Sequence, residues 1–131
     1  LPLKDYLRQA NQEILIVLMI EDQEGIDNRE AIMSVPGVDW VLPGAVDLSQ
    51  SLGCPGDPFH SSVNHAIAEL AASCRGRPVQ FCALPRTPDQ LTEWHEWGAR
   101  AFLLGEDRSL LFKYLKSHLA TCRTQSTPSS S

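Results

Sequence analysis

Seven consecutive apolar residues, ILIVLMI at positions 14–20, run directly into Glu21. A run with no polar position has no solvent face. As a strand it must be covered on both sides, which is the habit of a parallel sheet flanked by helices. It is far shorter than the roughly 20 apolar residues a membrane span needs. Three further, mostly apolar segments follow, at 38–42 (VDWVL), 78–84 (PVQFCAL) and 100–104 (RAFLL), and each precedes a stretch with helical signals.

Those signals are specific. Residues 4–12 are polar and compatible with a helix. Asp27 is placed to cap a helix over 27–34 that VPG stops. A glycine-containing loop is expected from the second strand through Pro58. Ser61 or Ser62 is placed to cap a helix to about Cys74, with Val63, Ala66, Ile67 and Leu70 on one stripe. Thr87 caps the next helix with Pro88 at its first position, and Gly98 ends it. A closing helix is expected over 109–122, with an apolar stripe of Leu110, Leu111, Tyr114, Leu115 and Leu119. The remaining 123–131, ending in TQSTPSSS, read as a disordered tail.

A helix followed by four strand–helix units calls for a parallel sheet with right-handed crossovers. Two architectures compete, a small doubly wound sheet and a (β/α)8 barrel. A whole barrel takes roughly 200 residues or more, so 131 residues amount to about half of one. In either fold the working groups sit at the carboxyl ends of the strands. Glu21, Asp47, Arg86 and Glu106 all follow strand ends and so fall on one face.

Glu21 and Asp47, coming from neighbouring strands with no His or Cys beside them, make an oxygen-only site suited to Mg²⁺ or Mn²⁺. A 2-keto acid chelates such an ion, which then stabilises the enolate as a Lewis acid. The backbone of PGAVD is open enough to approach a substrate carboxylate. The competing reading is purely local, with Glu21 capping a helix and Asp47 opening a turn. Arg86 is placed either to meet an anionic substrate or to pair with a surface acid.

Composition narrows the partners. Net charge is −5 with scattered Lys and Arg, which argues against a nucleic-acid surface or a basic membrane-binding face. The four cysteines, Cys54, Cys74, Cys82 and Cys122, form no C-x-x-C pair, so no zinc site is expected, and Cys82 reads as a buried thiol. A reducing, cytoplasmic setting fits. No signal-peptide pattern opens the chain, and with no Met before Met19 it reads as a piece of a longer or processed protein.

The stretch MIEDQEGIDNREAIMSVPGVDWVLPGAVDLSQSLGCPGDP resembles the HpcH/HpaI aldolase and citrate lyase family. The match lies in the Ile-Glu strand end, PGVD, and the G-x-x-D-L-S that follows, and it extends more weakly over 4–122. The resemblance implies a (β/α)8 TIM barrel, of which this chain is the C-terminal half. It also implies a divalent metal, Mg²⁺ or Mn²⁺, handling pyruvate-like 2-keto acids. The family's metal-binding acids fall on Glu21 and Asp47, and its substrate-carboxylate loop on Gly44, Ala45 and Val46. Many members read GPAD where this chain reads GAVD. The family's histidine base and arginine clamp come from the other half of the barrel, and none of His60, His65, His95 or His118 matches them. FCALPR and FLLGEDRSLL look closest to the branch that makes citrate for siderophores from oxaloacetate and an acetyl donor. Swapped-helix homo-oligomers are implied for the full-length protein. The reading from another class is a non-catalytic barrel fragment or binding module that keeps the metal ligands but lacks the base.

Overall fold

The computed structural model describes residues 1–125. Four strands, β1 (Val17–Ile20), β2 (Trp40–Pro43), β3 (Gln80–Ala83) and β4 (Ala101–Phe102), form one parallel sheet in the order β1-β2-β3-β4. That order separates the two candidate architectures. A doubly wound sheet reverses direction at a switch point, whereas right-handed crossovers that keep stepping the same way leave every helix on one face. The arrangement is four successive units of a (β/α) barrel wall, half a barrel in extent.

The register shows which face is which. Leu18 pairs with Val41 and Val41 with Phe81, so these side chains share a row. Ile20, Val41, Phe81 and Ala83 belong to the hydrophobic core on the helix side. There they meet Val63, Ile67 and Leu70 of helix α5 (Ser61–Ser73), as the sequence stripe predicts, and Trp94 of α6 (Pro88–Glu96). Alternate residues, Val17 and Met19, face the other way and remain 40% and 50% exposed. The run that needs cover on both faces has it on one.

Several elements differ from the sequence reading, each for a local reason. Strand β1 starts at Val17 rather than 14. Ile14 closes the first helix, α1 (Leu3–Glu13), by donating its N–H to Ala10 O. No strand residue precedes Trp40 to pair with 14–16. The helix expected over 27–34 is two short ones, α2 (Gln23–Asp27) and α3 (Arg29–Met33), because Asp22 rather than Asp27 is the cap. Its Oδ1 accepts from Gly25 N at 2.6 Å, starting the helix several residues early and making Asp27 its last residue. The loop expected after β2 opens with a further helix, α4 (Ala45–Ser51). His60, not Ser61 or Ser62, caps α5, with Nδ1 accepting from Ser62 N at 3.3 Å. Thr87 caps α6 as expected, accepting from Gln90 N, with Pro88 in its first turn, and Gly98 at φ +106° ends it. The last helix, α7 (Asp107–Gln125), runs past the expected end at 122, so residues 123–125 are helical rather than tail. The rest of the expected tail, 126–131, lies outside the described residues.

Trp94 is the largest fully buried side chain. Its ring stacks on Trp97 at 6.1 Å and meets Phe81 edge-on at 6.3 Å, fixing α6 to β3. Its indole N–H has no partner among the described residues, so truncation forfeits packing without breaking a hydrogen bond. Trp94→Ala is expected to cost about 3–5 kcal/mol, the usual range for emptying a buried aromatic site. Equilibrium urea unfolding followed by far-UV circular dichroism reads this directly, and a loss below 1 kcal/mol would contradict the packing described.

Candidate metal and substrate site

Strand β1 ends at Ile20 and delivers Glu21; β2 ends at Pro43 and delivers Gly44. The two ends are tied together, since Gly44 N donates to Ile20 O at 2.9 Å and extends the β1–β2 ladder by one bond. Three residues on, Asp47 sits in the first turn of α4. A second tie runs between the following helices, where Gln23 N donates to Ser51 Oγ at 2.9 Å. The result is an open cleft of about 400 Å³ lined by Glu21, Asp22, Asp47, Gln50 and Ser51. Every polar side-chain group on it carries oxygen, and none is a His or Cys.

Gly44 decides where Glu21 goes. A Cβ built on Gly44 would lie 2.5 Å from Glu21 Cβ, 3.0 Å from Glu21 Oε2 and 3.1 Å from Met19 Sδ. The carboxylate therefore occupies space that only glycine leaves open. Gly44 also caps α4 without a side-chain acceptor, so the amides at the start of the helix find no partner in it. Ala45 is buried, whereas Val46 turns its side chain outward. Asp22, also on the cleft, is engaged as the cap of α2.

Glu21 and Asp47 are thus brought to one cleft, and Gly44, Ala45 and Val46 stand directly beside it. Arg86 is not with them. It lines a separate cavity of about 500 Å³ at the same end of the sheet, between the loops after β3 and β4. Glu106, which follows β4, is likewise apart and exposed. Its carboxylate takes hydrogen bonds from Arg108 and Ser109, which hold it below the usual carboxylate range. Among the described residues no three His, Cys, Asp or Glu side chains cluster as a ready-made metal cage. A two-carboxylate site is a different object. Magnesium demands only one or two protein carboxylates and fills its octahedron with water and substrate. The oxygen-only donors on this cleft fit such an ion.

The other reactive side chains lie elsewhere. Cys74 is buried, and burial pushes its thiol up to about 11. Cys82, buried as expected, is also pushed up by burial. Neither is poised as a thiolate ligand or nucleophile. His60 is a helix cap, His65 stands 3.8 Å from Glu69, and His118 stacks on Tyr114. Among the described residues no histidine lines the acid cleft. Sequence reasoning missed Gln50 and Ser51 as cleft residues because it read 43–58 as loop. The helical spacing from Asp47, three and four residues on, was the available signal.

A one-directional parallel β/α wall with paired acids at its carboxyl edge places the protein among barrel domains whose chemistry sits at strand ends. More narrowly, the chain belongs to the HpcH/HpaI aldolase/citrate lyase family, which it matches over residues 3–113. It is 40% identical over 105 residues to a 5-keto-4-deoxy-D-glucarate aldolase of Klebsiella pneumoniae, covering 79% of this chain and 40% of that protein. It is 36% identical over 110 residues to a hydroxypyruvate/pyruvate aldolase of Chromohalobacter salexigens, covering 82% and 42%. Among solved structures it superimposes on the citrate synthase SbnG with a TM-score of 0.84 at 35% identity, covering 95% of this chain and 51% of that one. The chain therefore spans about two-fifths to one-half of the length of the relatives it matches, in keeping with half a barrel. No described helix is long and apolar enough to cross a membrane.

Proposed function

We propose that this chain supplies the metal-holding part of a divalent-metal-dependent carbon–carbon lyase, an aldolase acting on 2-keto acids such as pyruvate or oxaloacetate in the cytoplasm. The reading is carried by Glu21 and Asp47 sharing one oxygen-lined cleft, with Gly44 leaving the room that Glu21 fills. Glu21 and Asp47 would hold Mg²⁺ or Mn²⁺, which when bound supplies a Lewis acid for negative charge developing on a keto oxygen. Ala45 and Val46 offer backbone N–H groups to the substrate carboxylate. The N–H of Gly44 is already given to Ile20, so Gly44 contributes space rather than a donor. Arg86 adds positive charge at the same end of the sheet. The two aldolase relatives, one named for 5-keto-4-deoxy-D-glucarate and one for hydroxypyruvate and pyruvate, support a keto-acid substrate.

The likeness to SbnG favours a second reading, condensation of oxaloacetate with an acetyl thioester to give citrate. Both reactions stabilise the same kind of charge and differ in the partner that meets it. Among the described residues no histidine lines the cleft, so in this reading the chain binds and orients, while proton transfer falls to groups outside it.

Binding is therefore what tests the reading. Mn²⁺ titrated into the chain and followed by electron paramagnetic resonance should bind, and pyruvate should tighten it. Glu21→Gln and Asp47→Asn keep size and remove charge. Each is expected to weaken Mn²⁺ by on the order of a hundredfold or more, beyond the 10–100-fold that outer-shell changes cost. Variants that bind Mn²⁺ as the native chain does would remove Glu21 and Asp47 from the metal and end this proposal.

A further inference from the structure

The cavity beside Arg86 has a construction of its own. The backbone of Arg86 is fixed, since its N–H donates to Gln90 Oε1 at 2.9 Å, and Gln90 is buried and held to the α6 cap through Thr87. Lys113 of α7 lines the same cavity, together with Glu106 and the apolar Leu103 and Leu110. The start of α7 is seated on the same loop. Leu110 packs over Gly105, with its Cγ 3.6 Å from where a Cβ there would lie, and Leu110 N donates to Glu106 O. Two cations, Arg86 and Lys113, line this cavity against one acid, Glu106. Glu106 is matched by Arg108, whose Nε and Nη2 each lie 3.3 Å from its two oxygens, and by Ser109 Oγ at 3.0 Å. The guanidinium of Arg86 and the ammonium of Lys113 have no acid partner among the described residues.

We propose that Arg86 and Lys113 form a second anion subsite, which receives a terminal carboxylate or phosphate on the acceptor that meets the keto acid; this rests on the reading above and deepens it. The spacing is suitable. Adjacent strands lie about 4.8 Å apart, so the end of β3 stands one spacing from β2 and about 10 Å from β1. A short acyclic acceptor joined to a keto acid at Glu21 and Asp47 spans that gap. A guanidinium grips a carboxylate or phosphate through paired N–H groups, and the apolar wall strengthens the contact by lowering the local dielectric. The subsite selects acceptors with a charged far end over neutral ones of equal length.

The test is run without metal, so that it stands apart from the acid cleft. Ligand-observed saturation-transfer NMR, which tolerates assemblies of the chain, is recorded with succinate, with methyl phosphate and with neutral succinamide. Succinate or methyl phosphate should give a saturable signal and succinamide none; whichever anion binds more tightly identifies the terminal group. The double variant R86Q/K113Q should weaken anion binding at least tenfold, with an unchanged near-UV spectrum from Trp94 and Trp97. Arg86→Lys, which keeps the charge, should retain most of it. Glu21→Gln should leave succinate binding as it was while losing Mn²⁺, so failure of the metal reading and failure of this one give different results. Equal binding of succinamide, anion binding that survives in the double variant, or no anion binding by the native chain would each overturn the subsite.

Discussion

Gly44→Ala is expected to abolish divalent-cation binding at the Glu21–Asp47 cleft about as completely as removing the Glu21 carboxylate. The added Cβ would stand 2.5 Å from Glu21 Cβ, far inside van der Waals contact. A clash with the far end of a flexible side chain is relieved by a rotamer change, but Cβ is fixed to the backbone. Relief must come from moving the end of β1 or the start of α4, and both are held. Gly44 N bonds Ile20 O at 2.9 Å, Leu48 N bonds Gly44 O at 2.9 Å, and Gln23 N bonds Ser51 Oγ at 2.9 Å. Displacing Glu21 therefore breaks the geometry that brings it onto one cleft with Asp47. An Mn²⁺ titration by electron paramagnetic resonance, with far-UV circular dichroism to show that the sheet persists, measures this. Native-like Mn²⁺ affinity in Gly44→Ala would mean that Glu21 does not bind metal from this position.

That constraint was only partly legible in the sequence. The two acids were readable, because each follows an apolar run and parallel sheets put such positions on one edge. The consecutive strand order was not, since both barrel and doubly wound sheets share the same βα rhythm. What separates them is an order that never reverses, with β4 beside β3 and not beside β1. Cap assignment also misled. Asp27 and Ser61 have the right chemistry for a cap, but Asp22 and His60 stand where the chain turns into helix, and geometry outranks preference. The helix over Ala45–Ser51 was hidden by the Pro43–Gly44 pair in front of it, which reads as a loop signal. Here that pair is the strand end and the cap, and the helix carries Asp47 toward Glu21. The separation of Arg86 from the acids follows from strand spacing, which sequence distance does not report.

The chain of 131 residues is expected to self-associate and to show no aldol turnover alone. It exposes 9260 Å², whereas a compact monomer of its 14.5 kDa mass exposes about 6900 Å². The excess is larger than a standard protein–protein interface of about 1600 Å² buries in total. Its sources are specific. Val17 and Met19 present an apolar sheet face with no layer over it, and α1 buries no residue. Helix α7 leaves Leu110, Leu111, Tyr114, Leu115 and Leu119 each at least half exposed, so the predicted stripe is uncovered by the other described residues. Strands β1 and β4 are open edges where a barrel would continue, and open edges pair with other chains. Sedimentation velocity over a concentration series should show dimers or larger species at micromolar concentration. Leu111→Lys with Leu115→Lys should shift the distribution toward smaller species, because charges on α7 cannot be buried without partners. Turnover of pyruvate aldols should stay at background, since among the described residues no histidine lines the cleft to serve as the proton-transfer partner. A monodisperse, cooperatively melting 14.5 kDa monomer with metal-dependent turnover would show that these surfaces are not the barrel's interior and that the base lies within this chain.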